Sequence, residues 1–385
     1  MNVQPMSIRA ASCADDYDPN SMPVAKAREL IARFLTPISA IERLNIRAAL
    51  DRVLAADVIS PLDVPAHDNS AMDGYAVRHA DLRTNGEVTL KIAGTAFAGV
   101  PFQGQVKAGE CVRIMTGGVV PAGCDTIVMQ EHANAKGDSV TIGGGHQLGQ
   151  NFRRAGEDLK TGQIALRRGL LLRPAEIGLI ASLGIGEVGV FRKLRVAFFS
   201  TGDELRSIGT PLGAGQIYDS NRYTIHGMLA RLGCEVIDMG VVRDDPQLLE
   251  QAFADAAAAA DVVITSGGVS VGEADFVKEL LERLGEVVFW KIAMKPGRPL
   301  AYGRIANAHF FGLPGNPVSV MVTFYQFVRD ALLKLSGRDP VPPLPAFTVP
   351  CLSNLKKAPG RTEFQRGVLA QDTSGNWNVR VTGEQ

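Results

Sequence analysis

From Leu194 to Leu335 the chain alternates short apolar runs with stretches of helical periodicity, and this alternation leaves few folds open. Val196–Thr201, Cys234–Met239, Val262–Thr265, Val287–Met294 and His309–Leu313 read as strands. Between them lie helix-start signals: Asp219 or Ser220 before a helix that stops at Gly233, Asp245 followed by Pro246, and Asn316 followed by Pro317. Strands alternating with helices in this way predict a parallel, doubly wound α/β domain with right-handed crossovers. In such a sheet ligands bind outside the carboxyl ends of the strands. The sequence puts Thr201-Gly202-Asp203-Glu204, Arg243-Asp244-Asp245, Ser266-Gly267-Gly268 with Asp275, Lys291 to Arg298, and Leu313-Pro314-Gly315-Asn316-Pro317 there. Each alone is ordinary capping and turn chemistry; five on one edge point to a ligand mouth.

The central mouth is the stretch DVVITSGGVSVGEADF, Asp261 to Phe276. A β-branched strand empties into a glycine-rich turn that opens a helix, and such a turn brings backbone N–H groups to an anion. The competing reading is glycine kept for helix–strand packing alone. Lys291, Lys295, Arg298 and Arg304 follow with no acidic residue between them, which suits an anionic ligand or equally a solvated basic edge. Carboxylates beside lysines and an anion cradle fit phosphate chemistry with a hard divalent cation held by oxygen ligands, Mg²⁺ above all. No Gly-x-x-x-x-Gly-Lys-Ser/Thr occurs, the glycine spacing misses Gly-x-Gly-x-x-Gly, and six scattered histidines offer no Ser–His–Asp arrangement.

Elsewhere the patterns are less regular. Val24 to Leu35 reads as an amphipathic helix, Ile41 to Ile46 as a strand or extended turn, and Ala48 to Ala56 as a second short helix. Asp68, Asn69, Ser70 and Asp73 crowd a polar stretch that either turns on itself or meets a ligand. Short runs at Val88–Ile92, Cys111–Met115, Thr126–Met129 and Val140–Ile142, broken by glycine and proline, predict a small β-rich domain. Pro174 starts a further helical run. These patterns divide the chain into a disordered leader at 1–20, an α-containing domain at 21–60 and 154–193, a β-rich domain inserted at 61–153, the α/β domain at 194–338 and a small C-terminal β domain at 339–385. With 385 residues several domains are expected. Lysine plus arginine and aspartate plus glutamate number 40 each, so no global basic field favours nucleic acid. Five scattered cysteines give neither a disulfide framework nor a zinc spacing, and no apolar run is long enough to span a bilayer. A reducing cytoplasm is the simplest compartment, with no membrane or nucleic-acid partner.

The motifs DNSAMDGYAV (Asp68–Val77), RIMTGG (Arg113–Gly118), FSTGDEL (Phe199–Leu205), GQIYDSN (Gly215–Asn221), SGGVSVGEADF, KPGRPLAYG (Lys295–Gly303) and GLPGNPVS (Gly312–Ser319) resemble those of the molybdopterin molybdenumtransferases, among them the bacterial molybdenum-cofactor enzyme and the related domain of gephyrin. The resemblance implies an elongated homodimer with the active site shared between subunits. It also implies a reaction: adenylated molybdopterin and molybdate as substrates, AMP released, Mg²⁺ required. By motif match, Asp73 and Thr116 would reach in from the partner subunit. Glu204, Asp244 and Asp275 would serve the metal and phosphates, and Lys291, Lys295 and Arg298 the anions. Ser266, Gly267, Gly268 and Ser270 would supply donors, and Pro314 and Pro317 would shape the last loop. Molybdopterin adenylyltransferase and molybdoenzyme-maturation proteins would be its partners in the pathway. The resemblance also implies further strands after Thr382-Gly383, so the C-terminal β domain is expected to be incomplete. The alternatives are molybdopterin adenylyltransferase, which shares the α/β type but lacks the insertion, and a non-catalytic molybdopterin-binding or scaffold protein.

Overall fold

Alternate side chains of the strand Arg195–Thr201 enter two different cores, which places it inside a sheet covered on both faces. Val196 and Phe198 pack with Ile225, Met228 and Leu229 of the helix Ser220–Arg231 on one face. Ala197 and Phe199 pack with Leu249, Phe253 and Ala256 of the helix Pro246–Ala259 on the other. These positions come from a computed structural model that describes residues 21–268, 275–357 and 359–383, with the backbone alone at 275–278 and 289. The expected leader at 1–20 and Ser270 lie outside the described residues. The chain divides into two units, Met1–Ala56 with Arg168–Ile177 and Glu187–Gln385, and Asp57–Arg167 with Gly178–Gly186.

The six-stranded sheet of the first unit runs Glu235–Val242, Arg195–Thr201, Val262–Ser266, Ala308–Leu313, Pro299–Ile305, Gly285–Lys291. Its first four strands are parallel and doubly wound, as expected from the sequence. The last two pairings are antiparallel, so the sheet is mixed. The strand Pro299–Ile305 escapes the sequence reading because proline and glycine look like punctuation there. Proline is tolerated as the first residue of a strand. At Gly303 a Cβ would fall 2.1 Å from the Glu286 carbonyl oxygen, so glycine is what lets the backbones approach.

The helix Val24–Phe34 buries Val24, Ala27, Leu30 and Ile31 in the same core as Val196 and Phe198. Ile41–Asn45 pairs antiparallel with Glu187–Phe191, joining two segments far apart in sequence. The helix expected over Ala48–Ala56 is absent. Residues 46–51 form a turn held by Asn45, with Asp51 at φ +59°, and Val53 and Leu54 bridge to Leu171 and Val190. Tertiary pairing overrides helix propensity here. After a proline-rich connector, Gly367–Gln371 and Trp377–Val381 form an exposed antiparallel hairpin.

In the second unit a six-stranded sheet runs Thr126–Met129, Gly74–Val77, Glu110–Ile114, Val88–Ala96, Ser139–Ile142, Ala133–Lys136. The strand Gly74–Val77 is buried throughout, and at Gly74 a Cβ would lie 2.0 Å from the Val128 carbonyl oxygen. The polar stretch of the sequence thus feeds directly into a central strand. Among the described residues no helix is long and apolar enough to cross a membrane.

The aromatic trio of the second α/β core gives a direct stability test. Phe253 meets Phe199 and Phe310 edge-on, at centroid separations of 5.1 and 5.6 Å. Phe253→Ala is expected to cost about 3–5 kcal/mol in denaturant unfolding. A loss below about 1 kcal/mol would contradict this packing.

Candidate functional site

The strand order places the chain reversal between Arg195–Thr201 and Val262–Ser266, the switch point where an open α/β sheet leaves a crevice. Thr201, Val242, Ser266 and Leu313 end the parallel strands at this edge. Lys291 pairs with Pro299, and Ala301 with Gly312, so the strand carrying Lys291 also ends at this edge. All five polar or glycine-rich segments therefore emerge together.

At the crevice two loops meet backbone to backbone. Gly267 and Gly268 both have left-handed φ, +92° and +67°. A Cβ on Gly267 would fall 2.5 Å from the Thr201 carbonyl oxygen, and one on Gly268 2.9 Å from Thr201 Oγ1. Only glycine fits such positions. Gly267 N–H donates to Leu313 O at 3.1 Å, and Ser266 Oγ donates to Pro314 O at 3.4 Å. Asn221 ties both loops to the next helix: its amide donates to Ser266 Oγ at 2.9 Å and to Gly315 O at 2.7 Å. Pro317 begins the helix that Asn316 caps, accepting from Val318 and Ser319 N–H. Asn221 lies in the GQIYDSN motif two residues after the cap Asp219, and this position is the mark it leaves in the sequence.

Four buried polar atoms of this region have no hydrogen-bond partner among the described residues: Ser200 Oγ, Thr201 Oγ1, Asp219 Oδ2 and Asn221 Oδ1. Buried polar groups are ordinarily paired, so a cluster of orphans marks a place for a ligand or ion.

Carboxylates gather beside the cradle. Burial, and then the charges of Asp203 and Glu204, hold the Asp244 carboxyl above its ordinary range. The Glu204 carboxylate lies against Gly202, where a Cβ would sit 2.5 Å from Oε2. Asp275 opens the helix Asp275–Leu284, and its side chain lies outside the described residues. No group of three or more His, Cys, Asp or Glu forms a ready metal cage among the described residues. Mutually repelling carboxylates with oxygen donors nonetheless suit Mg²⁺, which takes one or two carboxylates and completes its shell with water and substrate phosphates.

The cationic wall is built from the turn after Lys291. Gly297 has φ +87°, and a Cβ there would lie 2.5 Å from Thr323 Oγ1 of the helix that starts at Pro317. Lys295 borders a cavity of about 550 Å³ shared with Lys356, Glu363 and Arg366. Phe364 N–H donates to Lys295 O at 2.8 Å, so the C-terminal segment docks on this turn. Arg298 is engaged with Ser21 Oγ at 3.0 Å, and Met22 pairs with the backbone of Lys291 and Ala293. Neither the N-terminal clamp nor Lys356 and Arg366 was legible in the sequence, because neither belongs to a strand-end motif.

In the second unit Asp73 and Thr116 are brought together. One oxygen of Asp73 accepts both Thr116 N–H at 2.7 Å and Thr116 Oγ1 at 2.8 Å. The backbone bond, then the hydroxyl bond, hold the Asp73 carboxyl below its ordinary range. Ser70 N–H donates to Gly118 O, and Gly117 N–H to Ser70 O, so the two motifs are laced at their backbones.

Comparison with known proteins agrees with this construction. Residues 22–184 match the MoeA N-terminal region (domain I and II), and residues 197–334 match a family described as probable molybdopterin binding domain. The chain is 50% identical over 345 residues to the molybdopterin molybdenumtransferase of Haemophilus influenzae, covering 89% of this chain and 85% of that protein. The molybdopterin molybdenumtransferase of Nostoc sp. is 40% identical over 303 residues, 77% of this chain and 70% of the relative. The crystal structure of the molybdopterin biosynthesis moeA protein from Pyrococcus horikoshii OT3 superposes with a TM-score of 0.81 at 29% identity, over 95% of this chain and 91% of that one. With a laced Asp73–Thr116 pair, an orphan-rich switch point and relatives of this extent, the chain belongs to the molybdopterin molybdenumtransferases, enzymes of molybdenum-cofactor biosynthesis.

Proposed function

We propose that the protein inserts molybdate into adenylated molybdopterin with release of AMP, in a Mg²⁺-dependent step at a site shared between the subunits of a homodimer. The observation that carries this reading is the switch-point cradle, two left-handed glycines against the Thr201 hydroxyl, which like Ser200 Oγ, Asp219 Oδ2 and Asn221 Oδ1 has no partner among the described residues, with Asp203, Glu204 and Asp244 beside it. The cradle holds the phosphates through the backbone and hydroxyl donors of Ser266, Gly267 and Gly268; by motif match Ser270, outside the described residues, is a further donor. Pro314 and Pro317 fix the neighbouring loop. Lys291, Lys295 and Arg298 attract molybdate and the pyrophosphate link and stabilise the charge that grows as the link breaks. Lys356 and Arg366, which share the Lys295 cavity, add to the same field. Glu204, Asp244 and Asp275 are the residues that would hold Mg²⁺, which when bound neutralises phosphate charge. Asp73 and Thr116 come from the partner subunit, the hydrogen bonds of Thr116 keeping the carboxylate ionised and aimed. The reaction takes its substrate from an adenylyltransferase and hands its product to molybdoenzyme-maturation proteins, in the cytoplasm.

Complementation tests the shared site. Asp73→Asn and Asp244→Asn are each expected to be inactive as pure proteins. Mixed, unfolded and refolded together, they should recover about a quarter of the parental activity, the share of intact sites in a random population of two-fold dimers. Recovery of nothing, from a mixture shown to contain hybrid dimers, would mean each subunit builds its site alone.

A further inference from the structure

We propose that the amino-terminal edge of the α/β sheet carries a second ligand site, for a phosphorylated small molecule with an apolar or aromatic body. A cavity of about 410 Å³ opens there, within the size range of small-molecule sites. Lys193 and Leu194 precede the strand Arg195–Thr201, and Gly233 and Cys234 precede Glu235–Val242; all four line the cavity. It therefore lies a full strand length from the Thr201 and Val242 ends, about 20 Å for seven residues. A molecule bound here touches none of the groups assigned to the transferase reaction.

The lining combines an apolar floor with a cationic wall. Phe191, Leu232 and Leu332 supply apolar surface, while Arg52, Arg192, Lys193, Arg231, Arg329 and Arg338 face a single acidic lining residue, Asp51. Three of these cations have carboxylate partners: Arg52 with Glu42, Arg192 with Asp261, Arg329 with Asp330. Among the described residues the side chains of Lys193, Arg231 and Arg338 have no hydrogen-bond or ion-pair partner. Arg338 is half-buried; desolvation and then repulsion from Arg173 lower its affinity for its proton, and the Glu176 carboxylate, itself bonded to Arg173, offsets them only in part. Holding an arginine charged in such surroundings without a hydrogen-bonded carboxylate of its own is unfavourable, and a bound anion would supply one.

The ordinary explanation is that these cations complement helix ends. Two helices, Ser220–Arg231 and Arg329–Leu335, do finish at the cavity. A helix C-terminus carries roughly half a negative charge, so the two together with Asp51 balance about two of the three unpartnered cations. A surplus remains, concentrated around an apolar floor, and this combination suits a phosphoryl group joined to a flat or apolar body better than a simple ion.

Titration calorimetry on the full-length protein, with ADP and inorganic pyrophosphate as probes and without molybdopterin, separates this site from the transferase mouth. Lys295→Ala removes a cation from the mouth and should leave one ADP site. In that background Arg338→Gln is expected to weaken ADP binding by about tenfold or more, the effect of losing one charge-assisted phosphate contact. The double variant Lys193→Gln/Arg231→Gln should do the same, which covers the case in which Arg338→Gln disturbs folding. Arg338→Gln alone should leave basal transferase turnover unchanged. Pyrophosphate should bind at least about tenfold more weakly than ADP, because it gains nothing from the apolar floor. ADP affinity unaltered by both sets of substitutions would overturn the site, and equal affinity for the two probes would overturn its apolar body.

Discussion

Asp244→Asn is expected to lower kcat by about two to three orders of magnitude, the usual effect of removing one preorganised electrostatic group, while making the ligand-free protein more stable above the raised native pKa. The two effects share a cause. Burial and the neighbouring Asp203 and Glu204 charges raise the carboxyl of Asp244 above its ordinary value. A carboxyl with a raised native pKa binds its proton more tightly in the folded chain than in the unfolded one. Its contribution therefore favours folding at low pH and is lost as pH rises from the ordinary carboxylate range through the native pKa. Above that window the ionised group opposes folding, and asparagine removes the opposition. Melting temperatures measured across pH should thus show the variant above the parent on the alkaline side of the raised pKa, with the difference vanishing in acid. Added Mg²⁺ should raise the parent's melting temperature more than the variant's. A variant less stable than the parent throughout the pH range would mean Asp244 makes a structural contact instead.

Gly267→Ala is the second large effect. Its left-handed φ of +92° costs a non-glycine residue about 1–3 kcal/mol, and its Cβ would meet the Thr201 carbonyl oxygen at 2.5 Å. Thr201 ends a strand paired on both sides, so the oxygen cannot retreat without disturbing the sheet. Denaturant unfolding should show at least this loss, and any protein that remains folded should have lost phosphate binding, because the loop must lift away from Thr201 Oγ1. Gly143→Ala is the control: it has no neighbour within 4 Å and an ordinary φ, so both properties should be unchanged. A Gly267→Ala protein with parental stability and turnover would show that the close approach is not needed.

The α/β half was legible because strand and helix periods, caps and prolines agreed with each other. Asp219, Asp245 and Asn316 all cap the helices expected of them. Failures occurred where tertiary pairing decided the outcome. Ala48–Ala56 has good helix formers but forms a turn and two sheet bridges, and Pro299–Ile305 is a strand despite its proline and glycine. Of the candidate site, the glycines and Asp203–Glu204 could be read from strand ends, since a parallel sheet gathers such ends on one edge. The pairing of Asp73 with Thr116 could not be read from periodicity; motif resemblance grouped them, and the two hydrogen bonds give the physical reason. Lys356, Arg366 and the Ser21 clamp on Arg298 come from segments with no chemical pattern of their own, and only the folded chain brings them near Lys295 and Arg298.

The most direct measurement is AMP release by the purified protein given adenylated molybdopterin, with molybdate and Mg²⁺ each supplied or withheld. AMP and active molybdenum cofactor are expected in equal amounts when both are present, and neither product when molybdate or Mg²⁺ is omitted. A folded dimer that releases no AMP in the complete mixture, or releases it at the same rate without molybdate, would contradict the transferase assignment at its centre.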